Sequence, residues 1–129
     1  MQIGVQDAAM IGQGVGDTQK KFAEFGVALS DKGPQTYRWS AHPSTSMKVG
    51  NLENYDLKIN REGSKTIYKL VVPWKEIIGK DTVKEGDTYR FSIIANDNDG
   101  QERRGYMALT DGIGDAKDAE RFSKIILVK

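Results

Sequence analysis

Tyr37 and Trp39 stand two residues apart in the run Thr36-Tyr37-Arg38-Trp39-Ser40. On a β-strand that spacing sends both rings to one face and Arg38 to the other. Flat rings stacked on the apolar faces of pyranoses, with planar polar side chains gripping the hydroxyls, are the chemistry by which proteins hold sugars. If one ring buries about 100 Å² of sugar and ring surface, the gain is about 2.5 kcal/mol at roughly 25 cal/mol per Å². Millimolar binding needs about 4 kcal/mol, so a second ring or several good hydrogen bonds must contribute. The other tryptophan, Trp74, follows Pro73 in an apolar run and reads as packing, as do Phe22, Phe25, Phe91 and Phe122.

Other chemistry-bearing residues point less far. His42 is the one histidine and cysteine is absent, so there is no thiol nucleophile, disulfide or closed Cys/His zinc site. No local signature brings a serine and a carboxylate to His42 as a triad would require. The run Asn96-Asp97-Asn98-Asp99-Gly100 places oxygen ligands at alternate positions before a glycine, as calcium loops do. Ala95 stands where the helix-loop-helix pattern wants its first aspartate, and Tyr106 where it wants the closing glutamate. A second acidic group, Asp111, Asp115, Asp118 and Glu120, lies in a glycine-containing stretch. A non-standard structural calcium site is therefore expected among Asp97, Asp99, Asp115 and Asp118. Carboxylates are plentiful, but nothing in their spacing indicates the deep groove and buried general acid of a glycosidase.

The elements that must position these residues are strands. Short alternating or β-branched runs near 2–6, 22–30, 35–40, 54–60, 65–72, 88–96, 104–110 and 123–128 are separated by turn residues, the pattern of an all-β antiparallel sandwich. Arg61-Glu62-Gly63-Ser64 and Asp99-Gly100 read as hairpin tips. Pro73 ends one strand, and Trp74–Ile78 has room for a single helical turn. Gly12–Asp17 reads as a glycine-rich loop without the Gly-Lys-Ser/Thr ending of a phosphate cradle.

The 129 residues fit one domain, with 38% hydrophobic content and a formal net charge of +1. Scattered lysines make no field that would draw nucleic acid or an anionic membrane. No apolar run approaches the roughly 20 residues of a spanning helix, and the N-terminus lacks the order of a signal peptide. Met1 runs directly into a strand, so a truncated start is expected.

Tyr68-Lys69-Leu70-Val71-Val72-Pro73-Trp74-Lys75-Glu76-Ile77, then Phe91–Gly100, Arg104-Gly105-Tyr106, and Gly112-Ile113-Gly114 with Lys117-Asp118 and Phe122, resemble in order and spacing the family 9 carbohydrate-binding modules. Glu24–Leu29 and Tyr37-Arg38-Trp39 extend the resemblance upstream. It implies a jelly-roll-like β-sandwich with no catalytic role. Such domains are accessory parts of secreted bacterial polysaccharide-degrading or cell-surface proteins and bind xylan or glucan, with calcium in some members. The family's early tryptophan-bearing segment is missing before Gln2. Where sugar-binding members carry glutamate, arginine, glutamine and a second tryptophan, this chain has Gln2, Gly26, Ile94 and Ala116 or Lys117. The resemblance makes Trp39, Tyr37, Arg104, Tyr106 and Lys117 the candidates for sugar contact. The alternative is a structural or interaction domain of a surface protein that has lost sugar binding. The missing strands also predict an exposed edge and a homodimer formed through it.

Overall fold

The computed structural model describes residues 1–8, 21–43, 45–98, 103–114 and 116–129. The expected Gly12–Asp17 loop and the Asp99-Gly100 tip lie outside them. The described chain is all-β and antiparallel, with strands at each of the eight expected places. The larger sheet runs β3 (Gly33–Ser40), β2 (Ala23–Ser30), β1 (Gln2–Asp7), β6 (Thr88–Asn98), β7 (Arg103–Ala108). The last strand, β8 (Ser123–Ile126), pairs with the first part of β6 on the side where β7 pairs with its end. β4 (Asp56–Glu62) and β5 (Lys65–Val71) form a separate two-stranded sheet, turned at Gly63 with φ of 60°.

The central strands of the larger sheet bury residues on both faces. On one face, Ile3, Val5, Phe25 and Tyr89 pack with Leu52 and Ile78. The cover comes from the short helix α1 (Trp74–Ile78) and from Leu70 of β5, with Trp74 stacked on Tyr89 at 4.6 Å. Trp74 is thus a packing residue. On the other face, Phe22, Ile94, Ile113, Ala119 and Phe122 form a second cluster under the 111–122 segment, Phe22 and Phe122 meeting edge to face. Each such ring contributes roughly 1.5–3 kcal/mol on burial.

The edge of β3 is closed in two ways. Arg38 exchanges both backbone hydrogen bonds with Gly50, and Pro34, on the same outward-facing parity, has no N–H to offer. Arg38 projects into the first core, opposite to Tyr37 and Trp39, as the alternation requires.

His42 is buried and its Nε2 accepts the backbone N–H of Asp7 at 3.3 Å. The Asp7 carboxylate in turn takes Lys80 Nζ at 2.7 Å. Burial, assisted by the Lys80 charge, holds the imidazole below its ordinary range against the opposing pull of Asp7. The unfolded chain therefore binds the proton more readily, and this contribution to stability is present above about pH 6.5 and lost as the pH falls below it. A melting series should show the midpoint falling between about pH 6.5 and 5, with the fall flattened in His42→Gln.

Candidate functional site

Register brings together residues that the sequence keeps apart. Gln2 of β1 pairs with Gly26 of β2 on one side and with Ile94 of β6 on the other, so the three lie in one row across the second face of the sheet. Trp39 lies over Gly26. A methyl group at Gly26 would come within 2.5 Å of the Trp39 ring, so glycine is what lets the indole lie flat on the sheet. The register shift between Glu24 and Phe25, where β2 faces β3, makes room for Trp39 as the extra residue.

Tyr37 and Trp39 remain 42% and 43% exposed, with ring centroids 5.7 Å apart and planes inclined at 59°. They line a hollow of about 570 Å³, within the range typical of small-molecule sites. Tyr55 supplies a third ring, and Gln2, Gln35, Asn51 and Asn96 supply four carboxamides. Lys32 is the one charged side chain among the described lining residues. Asn96 Oδ1 is buried and has no hydrogen-bond partner among the described residues.

Two residues before Gly26, on the same face, Glu24 is buried and accepts a hydrogen bond from Lys117 Nζ at 2.5 Å. Lys117 holds a left-handed backbone, φ 47°, and its side chain is 55% exposed. An ammonium has three donors, so the ion pair leaves Lys117 capable of further hydrogen bonds, but it does not line the hollow.

The other candidates lie elsewhere. Tyr106 packs against Gly114 in the second cluster, with the Arg103 guanidinium 4.5 Å above its ring. Arg104 is exposed on β7. Neither lines the hollow. Of the expected calcium ligands, Asp99 and Asp115 lie outside the described residues. Asp97 projects, exposed, from the face of β6 that carries Ala95. Asp118 sits in the segment over the opposite face, where its Oδ1 caps the Ala119–Arg121 turn by accepting the Glu120 N–H at 3.0 Å. The two described carboxylates therefore do not meet. Among the described residues no three His, Cys, Asp or Glu side chains gather as a metal site, and no helix is long and apolar enough to cross a membrane.

Gln35, Asn51 and Tyr55 are not among the residues that sequence reasoning picks out, and Asn96 enters there only in the run of oxygen ligands before Gly100. Asn51 and Tyr55 come from a connection without regular alternation, laid along β3 by the Arg38–Gly50 bridge and by Leu52 N on Thr36 Oγ1 at 3.3 Å. No protein-family model, curated protein or solved structure matches the chain.

Proposed function

We propose that the chain is a non-catalytic carbohydrate-binding module that holds neutral polysaccharide, of the xylan or glucan kind, in the hollow beneath Tyr37 and Trp39. The observation that carries this reading is the pair of exposed rings over a cavity lined by carboxamides. Carboxamides both donate to and accept from hydroxyl groups, while a lining with one charged side chain, Lys32, gives little for an acidic or basic ligand to pair with. Rings inclined at 59° make no flat platform, so the fitting ligand is a single chain or oligosaccharide and not a crystalline surface. Such a module would tether a secreted or cell-surface protein to its polysaccharide.

Calorimetry and affinity gels with xylan, cellulose and their oligosaccharides test this. Loss of about 2.5 kcal/mol of ring burial in Trp39→Ala should weaken binding about 60-fold, with the melting temperature little changed because the ring is half exposed. Unchanged affinity in a folded Trp39→Ala protein would remove the platform. Absence of binding by the native chain to any glycan would favour the second reading, a structural or interaction domain without sugar binding.

A further inference from the structure

Asn96 stands on β6 between apolar neighbours. On its face of the sheet Ile94, two residues back, is buried, and its cross-strand partner is the half-buried Tyr106. Asn96 Oδ1 is buried, and no group among the described residues donates to it. Leaving an acceptor unpaired away from water costs stability, and an apolar side chain of similar shape would avoid that cost. Packing around Asn96 therefore gives no reason for a carboxamide at this place. The hollow gives one, because Asn96 lines it and a sugar hydroxyl is the donor that Oδ1 lacks.

Sheet order sets where along a ligand that contact falls. Gln35 lines the hollow from β3 and Asn96 from β6, with β2 and β1 between them. Three strand spacings of about 4.8 Å make about 14 Å. Trp39, over Gly26 of β2, stands two spacings from β6, about 10 Å. A single sugar ring stacked on the indole does not reach that far, whereas a chain laid across the strands does. Gln2 of β1 lines the path between them.

We propose that the hollow takes its glycan across the strands, Trp39 stacking on one sugar and Asn96 Oδ1 accepting a hydroxyl from a ring further along. The terminal torsion of an asparagine is broad, so a small turn brings the oxygen to that hydroxyl. Asn96 is then the residue that makes the site favour longer oligosaccharides over short ones. This assignment rests on the sugar reading of the hollow and adds to it the direction and length of the bound chain.

Calorimetry with cello- and xylo-oligosaccharides of increasing length, paired with denaturant unfolding, tests this. The native chain should bind a tetrasaccharide about tenfold more tightly than a disaccharide, the worth of one good hydrogen bond. Asn96→Ala should abolish that gain and leave the disaccharide affinity unchanged, while Trp39→Ala should weaken both lengths. Asn96→Leu should also abolish the gain, yet raise the denaturant midpoint, because the unpaired acceptor is gone. A gain with length that survives Asn96→Ala, in a chain whose binding still depends on Trp39, would overturn this inference alone. A lowered midpoint in Asn96→Leu would make Asn96 a packing residue and overturn it too. A native chain that binds neither length would overturn the sugar reading and this inference together.

Discussion

Replacing Arg38 with leucine is expected to destabilise the fold by about 3–5 kcal/mol, the cost of leaving a buried carboxylate without its counter-charge. Arg38 and Glu76 are 5% and 8% exposed. Arg38 Nη2 donates to Glu76 Oε2 at 2.5 Å and to the Glu76 carbonyl at 2.9 Å, while Nη1 donates to Lys48 O at 3.2 Å. Glu76 Oε1 accepts from Asn54 Nδ2 at 2.9 Å and from its backbone N–H at 3.3 Å. One ion pair thus ties β3, α1 and the 48–54 connection together under the sheet. Replacing both partners by apolar residues should recover much of the loss, because it removes the unpaired charge along with the pair.

The pH dependence of that variant separates lost packing from lost charge. In the native chain burial pushes the Glu76 carboxyl up, but hydrogen bonds from Asn54 and Arg38 and the guanidinium charge outweigh it and hold it below the ordinary carboxylate range. A carboxyl so depressed adds stability above about pH 4.3 that is lost as the pH falls. Without Arg38, burial acts with less opposition, the carboxyl moves upward, and its contribution improves as the pH falls. The gap between native and Arg38→Leu unfolding free energies should therefore narrow from neutral pH toward about pH 4, measured by denaturant titration. A gap independent of pH would assign the loss to packing alone.

What could be read ahead of the coordinates is what periodicity controls. Alternation in Tyr37-Arg38-Trp39 separated the two rings from the arginine, and Pro73 marked the end of β5 and the start of a single helical turn. Partners far apart in sequence were beyond that reading. Arg38 meets Glu76 across 38 residues and Glu24 meets Lys117 across 93. Nothing in Arg38 itself says whether it is buried, and here its direction was legible while its partner was not. The hollow behaves likewise: its rings follow from strand parity, but Gln2 and Asn96 enter it only because β1 lies between β2 and β6. Trp39 reaches the row through a bulge, and a one-residue slip of β3 would turn the rings into the core.

The loop that carries Lys117 depends on Gly112, and Gly112→Ala should cost about 2–5 kcal/mol. Its φ is 107°, where an L side chain costs about 1–2 kcal/mol. An added methyl would also sit 2.3 Å from Asp118 O and 2.9 Å from the Phe122 ring. The first contact is with backbone, so no change of rotamer relieves it, and overpacking of this kind adds roughly 1–3 kcal/mol. Relief by moving the loop has its own consequence. Asp118 N donates to Gly112 O at 2.9 Å, closing the segment that buries Ile113 and aims Lys117 at Glu24. A displaced Lys117 leaves the Glu24 carboxylate buried and alone. Lys117→Gly relaxes the left-handed residue but removes the ammonium, so it too leaves the buried Glu24 carboxylate unpaired, and adding Glu24→Gln should recover much of its cost. Denaturant unfolding of Gly112→Ala within about 0.5 kcal/mol of the native chain would show that the loop yields without cost and that Gly112 does not hold Lys117 in place.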